Sequence, residues 1–217
     1  MTDHDFGRYP GYDVLSKRNG PSWNEKTREV IDKRLAIPRE PRFFSPAEWR
    51  TLHAVCDRII PQSPNDEKVP LPAYVDEKMF LRRHDGYRYP GMPEQSEAWR
   101  RGLAALDEVA RRDHGQDFAA LDGAAQDEVL RRFDRGEAKA DALGDMPANG
   151  FFNHRVIQDI VSAYYAHPVA WSEIGFGGPA SPRGYVRLQL NRRDPWEPVE
   201  ARPGEEARAR RKNARVG

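Results

Sequence analysis

Six histidines, one cysteine and one glycine run are the residues of this chain whose types could do chemistry. The histidines fall at positions 4, 53, 84, 114, 154 and 167, and none pairs at the His-Glu-x-x-His spacing that turns two imidazoles towards one metal ion. His53 and Cys56 share a helical face at i, i+3, which reads as a satisfied histidine beside a core thiol. Cys56 lies on the apolar side of its predicted helix, where a thiol stays protonated and inert. Ser172 beside Glu173, and Ser181 before Pro182, sit in no Gly-x-Ser-x-Gly elbow. The carboxylates scatter along helix faces predicted to be solvated, and no pair stands out. His167, just before Pro168, is placed to bond the free carbonyls of a helix end. These residues assemble no catalytic, cofactor-binding or metal site.

The glycine run is "GFGGP", Gly175 to Pro179. A phosphate cradle needs a strand before it and a helix N-terminus after it, because the helix end binds the anion. Here a helix precedes, Pro179 and Pro182 follow, and the spacing is not Gly-x-Gly-x-x-Gly. The glycines are therefore expected to allow positive φ in tight turns, or close approach of the backbone to a neighbour.

The elements that must carry these residues are helical. A short helix follows Ser22, with Trp23, Val30, Ile31 and Leu35 near one face. "FFSPAEW" opens the next: Ser45 is an N-cap, Pro46 takes the first helical position, Glu48 completes a capping box, and Phe44 is set to staple onto Trp49. Its stripe is Trp49, Leu52, Val55, Cys56, Ile59 and Ile60, and Pro61 stops it. Further helices are predicted near 72–84, from Ser96 to Asp113 with Gly115 as end cap, from Asp122 to Gly136, and over 150–166 up to His167-Pro168. "YVRLQL" alternates, with Val186, Leu188 and Leu190 on one side, which is strand patterning without a second strand to pair with.

The 217 residues suit one domain with arms. Charged residues make up 32% and the 35 basic side chains nearly balance 34 acidic ones, so no global field draws nucleic acid or an anionic membrane. A single cysteine excludes an internal disulfide framework and a Cys-x-x-Cys-His haem site. No run approaches the ~18 apolar residues of a membrane span, and the first twenty residues hold no apolar signal core or twin-arginine pair. The expectation is a cytoplasmic protein, periplasmic only if a partner carries it across. The basic tail "RARRKNAR" could touch nucleic acid or lipid, but the reading preferred is a solvated, disordered end.

Trp171, Ile174, Phe176, Tyr185 and Trp196 fall close together in this glycine-rich stretch. Aromatic anchors beside adaptable backbone are the composition of buried interface centres. Two readings stay open: a partner-binding surface, to which "YVRLQL" adds by sheet augmentation, or a segment that folds back over its own helices.

The combination of "FFSPAEWRTLHAVCDRIIPQ", "WRRGLAALDEVARRDHGQDFAALDGAAQDEVL" and "FFNHRVIQDIVSAYYAHPVAWSEIGFGGP" resembles the gluconate 2-dehydrogenase small subunit (subunit 3) family, over about two thirds of the chain. The helix signals give a mainly α fold of five or six helices with long Pro/Gly-rich loops and an extended C-terminal segment with at most one short strand, and the resemblance implies a small helical accessory subunit. It implies binding to a large FAD-containing dehydrogenase subunit of the glucose-methanol-choline type, which oxidises a sugar, sugar acid, polyol or related alcohol. A cytochrome c or another electron acceptor is the further partner implied. No cofactor is expected on this chain, with FAD on the partner, and neither nucleic-acid binding nor membrane insertion is expected. The division predicted is an arm with a short helix over 1–42, a helical domain over 43–170, an interaction segment over 171–198 and a disordered charged tail over 199–217. The partner-binding residues predicted are Trp171, Ile174, Gly175, Phe176, Gly177, Gly178, Pro179 and Tyr185. The alternatives are a stand-alone enzyme with a His/Glu site and an adaptor using the basic tail.

Overall fold

A computed structural model of the chain describes residues 8–64, 67–187, 190 and 192–216. The described residues are mainly helical. In chain order they run through α1 (Glu25–Leu35), α2 (Pro46–Ile59), α3 (Leu71–Phe80), α4 (Gln95–His114), α5 (Gly123–Asp134), α6 (Ala148–Phe151), a π-helical turn (Phe152–Ile157), α7 (Gln158–Tyr165), α8 (Pro168–Ile174) and α9 (Glu206–Asn213). The chain divides into two compact units, residues 37–164 and, formed from both flanks, residues 1–36 with 165–217. The linear four-segment division therefore gives way to one in which distant parts of the sequence share a unit.

The central unit follows its sequence signals. Ser45 accepts from the Glu48 N–H while the Glu48 carboxylate accepts from Ser45 N–H, closing the capping box of α2. Asp122 caps α5 by accepting from Ala125 N–H, and Gly115, at φ 74°, ends α4. The core is built on α4: Trp99 is fully buried, with Phe44 at 6.3 Å and Phe151 at 5.6 Å between ring centroids, both near-perpendicular. Phe44 thus packs on Trp99, whereas Trp49 pairs with the exposed His53 at 4.8 Å. Gly102 lets this happen, since a Cβ there would fall 2.2 Å from the Phe151 ring. Cys56 is buried, as its helical register predicts.

The flanking unit holds α1, a 3-10 turn at Val14–Lys17, α8 and α9. Its core gathers Tyr12, Val14, Trp23, Ile31, Trp171 and Val216. Two expectations are corrected here. "YVRLQL" forms no strand in its described part: Val186 and Arg187 lie in a turn, while Leu188 and Gln189 lie outside the described residues. A strand needs a continuous ladder partner, and the described chain offers only an isolated parallel bridge between Trp23 and Ser181. The charged tail is also ordered into α9, because Ala209, Asn213 and Val216 give it a buried face at helical spacing.

Candidate functional site

The segment from His167 to Tyr185 begins as a helix that its own signals specify. His167 is the N-cap of α8, its Nδ1 accepting from Val169 N–H at 3.2 Å, and Pro168 takes the first helical position. The imidazole therefore caps the start of a new helix. At the other end Gly175 adopts φ 71°, and Phe176 N–H reaches back to the Trp171 carbonyl at 2.8 Å. That is a Schellman stop, and its customary apolar contact is present between Phe176 and Trp171.

Each glycine of the run then has a definite reason. A Cβ on Gly175 would meet the Tyr9 ring at 2.4 Å, and one on Gly177 would meet the Tyr185 hydroxyl at 2.8 Å. Gly178, at φ 68°, lies against Trp171 and Val14. The backbone is tied as well: the Tyr185 hydroxyl donates to the Gly178 carbonyl, and Lys17 Nζ donates to the Pro179 carbonyl at 3.1 Å. The run is a fixed turn system packed on its own unit.

The predicted contact residues separate accordingly. Trp171 is only 5% exposed, with its indole N–H donating to the Tyr165 carbonyl at 2.6 Å, so its ring belongs to the core of this unit. Gly177 and Gly178 are buried, and Gly175, Pro179 and Tyr185 are half-buried. Ile174 and Phe176 are 48% and 44% exposed. Phe176 joins Trp171 to Tyr185, with its ring stacked 6.4 Å from that of Tyr185. A groove of about 280 Å³ is lined by Val30, Ile31, Trp171 and Pro179 with polar residues that include Arg34 and Ser181, and Ile174, Phe176 and Tyr185 are not among its lining.

Lys17, which sequence reasoning missed, is buried between the indoles of Trp23 and Trp196, 5.7 and 5.8 Å from their centroids. Burial lowers its pKa to about 8, against the opposing pull of Glu197 and Asp194. The hydropathy of an isolated lysine gave no sign of this; only its aromatic neighbours could have.

In the central unit the carboxylates are not all on solvated faces, contrary to the sequence reading. Asp76 is buried and accepts from the backbone N–H groups of Arg42, Phe43 and Phe44 at 2.8–3.0 Å. Asp107 accepts from Thr51 and from Phe118 N–H; burial raises its pKa despite both bonds. Asp159 bonds Lys78 at 2.8 Å and the Trp99 indole at 2.8 Å, and Lys78 also bonds Asp85 at 2.7 Å. Arg155, on the π-helical turn, faces both Asp85 and Asp159. Burial works to raise the Asp85 pKa, but Lys78 and Arg155 outweigh it and hold the carboxyl low. Two cations and two anions close a neutral network across α3, the loop after it and the helix bearing Arg155. The signal for it was Arg155 and Asp159 at i, i+4 on a stripe that otherwise holds Phe151, Val156 and Ile160.

These buried groups bond to each other and to backbone, which suits a scaffold. Among the described residues no three His, Cys, Asp or Glu side chains gather to hold a metal ion, and no helix is long and apolar enough to cross a membrane. Residues 46–178 match the family model described as gluconate 2-dehydrogenase subunit 3, more than half of the chain. The chain belongs to the gluconate 2-dehydrogenase subunit 3 family. The family match takes in α2 to α8 and ends inside the glycine run, at Gly178. It starts after α1, so most of the flanking unit lies outside the family pattern. No curated protein and no solved structure matches the chain.

Proposed function

We propose that this chain is the non-catalytic accessory subunit of an FAD-dependent dehydrogenase, whose large subunit oxidises a sugar, sugar acid, polyol or related alcohol. The observation that carries the reading is family membership over residues 46–178. The geometry supports it in two ways. The buried Asp76, Asp107, Asp159 and Arg155 of the central unit are engaged in internal bonds. Two large apolar side chains, Ile174 and Phe176, stand exposed on a backbone fixed by a helix stop, two positive-φ glycines and the Lys17 and Tyr185 bonds.

In this reading Ile174 and Phe176 make the partner contact, while Trp171, Tyr185 and the glycines hold them in place. Burying that surface only in the complex stabilises the flavoprotein by mass action. FAD stays on the large subunit, which passes its electrons to a cytochrome c or similar acceptor.

The test is to purify the tagged chain from its own host and record what accompanies it. A yellow preparation with a larger chain at fixed ratio is expected. Phe176→Asp with Ile174→Asp should release that chain, weakening binding by about 2 kcal/mol or more if they are hot spots. A colourless single chain at native expression would sink the reading.

A further inference from the structure

The flanking unit carries a charge that the whole-chain balance hides. Its segments, 1–36 and 165–217, hold 17 Lys and Arg against 12 Asp and Glu, while residues 37–164 hold 18 against 22. The excess is concentrated on α9 and the turn after it, at Arg208, Arg210, Arg211, Lys212 and Arg215, all exposed. Helical spacing puts Arg208, Arg211, Lys212 and Arg215 on one side, next to the buried stripe of Ala209, Asn213 and Val216. Arg208 has Glu205 at 3.4 Å; Arg211, Lys212 and Arg215 have no acidic partner among the described residues.

This face is held rigidly. The Asn213 side chain donates to the Pro10 carbonyl at 3.1 Å and the Val199 carbonyl at 3.0 Å, and accepts from Val199 N–H at 2.7 Å. The Val216 carbonyl accepts from the Ser16 hydroxyl at 2.5 Å, and its side chain enters the core with Trp171. Four like charges on so short a helix, with a fifth in the turn after it, repel one another, and the packed side opposes that repulsion.

We infer that the exposed face of α9 is an electrostatic docking surface for an acidic patch on the dehydrogenase large subunit. The inference rests on the accessory-subunit reading and adds where, and with what charge, the partner is met. Three of the four side chains on the face are arginine, whose planar fork matches carboxylates in pairs and which is enriched at protein interfaces where lysine is depleted. The face carries no exposed apolar side chain to enter a bilayer and no aromatic ring to stack on a base. A prefolded, pinned helix suits a stereospecific protein surface. Its effect should fall on the rate of encounter more than on the lifetime of the complex.

The experiment measures association of the full chain with the co-purifying large subunit at low and high salt. It compares the wild type with two triple variants, R211Q/K212Q/R215Q and R211E/K212E/R215E. Wild-type association should slow steeply with salt; the glutamine variant should be roughly 10-fold slower at low salt and less salt-sensitive. The glutamate variant should be slower again, with melting temperature and dissociation rate of the glutamine variant near wild type. Unchanged rates and salt slope in both variants would overturn the inference and leave the accessory-subunit reading standing. Wild-type chain that fails to bind any large subunit would remove that reading and this inference with it. Tight wild-type binding to phosphatidylserine vesicles or duplex DNA, lost in the variants while their rates with the large subunit hold, would reassign the face and overturn it.

Discussion

Phe176 meets Trp171 at a near-perpendicular angle, 85° between planes and 5.8 Å between centroids, across the single left-handed residue Gly175. The ring that ends α8 is thereby clamped onto the ring at its centre. An exposed aromatic on a stretch of glycines would ordinarily sample many positions; here the helix stop removes that freedom.

Gly175→Ala should break this clamp. The substitution puts a Cβ at φ 71° and 2.4 Å from the Tyr9 ring, so two penalties coincide. A loss of about 1–2 kcal/mol from the backbone alone is expected, with amide hydrogen exchange of residues 174–178 faster than in the wild type.

Trp171→Ala separates a core residue from a contact residue. With 5% exposure it should destabilise the flanking unit by about 3–5 kcal/mol, visible in urea unfolding of the isolated chain. Phe176→Ala, by contrast, should leave that unfolding curve within about 1 kcal/mol of wild type.

Gly102→Ala is predicted to be worse than its size suggests. The added methyl would lie 2.2 Å from Phe151, and such overpacking costs about 1–3 kcal/mol. Combining it with Phe151→Leu should recover part of the loss, because the two changes share one space; additive losses in thermal unfolding would refute the steric account.

Asp159→Asn leaves Lys78 and Arg155 with one carboxylate between them inside the central unit. A destabilisation of about 3–5 kcal/mol is expected. Adding Lys78→Met should restore some of it, since the unbalanced charge is then removed; denaturant midpoints of the single and double variants decide this.

Lys17 gives a pH signature. Its folded pKa of about 8 lies below its ordinary 10.5, so between these values the unfolded chain holds a proton that the folded chain lacks. Stability from this group therefore rises as pH climbs through that window, by about 2 kcal/mol at most before tyrosine ionisation intervenes. Tyr185 opposes it at higher pH, being pushed up to about 12 by burial. Lys17→Met should flatten the rise in unfolding free energy between roughly pH 7 and 9.5; an identical slope in both proteins would exclude Lys17 as its source.

The helices of the central unit were legible because their caps are local. Ser45 and Glu48, Asp122, and Gly115 each act within four residues, and the structure places all of them as caps. Helix α8 was equally legible in principle, from Pro168 at its start and Gly175 after its end, although the sequence reading gives His167-Pro168 only as the stop of the preceding helix. What could not be read was anything set by distant partners. The turn at Val186 depends on having no ladder, the burial of Lys17 on Trp196, and the order of α9 on Asn213 reaching Pro10. Likewise Asp76 resembles a surface aspartate until three N–H groups over thirty residues earlier converge on it. For the candidate site, the sequence could not divide these side chains between core and surface: exposure separates Ile174 and Phe176 from Trp171, and exposure is a property of the fold.

Cys56, the sole cysteine, is buried on α2, and burial raises its thiol pKa well above the ordinary value. Closed molecules therefore shield it from alkylating reagents, and only openings that expose α2 let it react. The chain thus carries a natural clock: its labelling rate, free of any competing thiol, reports how often the central unit opens, and the slowing of that clock on adding a partner would measure stabilisation without an engineered probe.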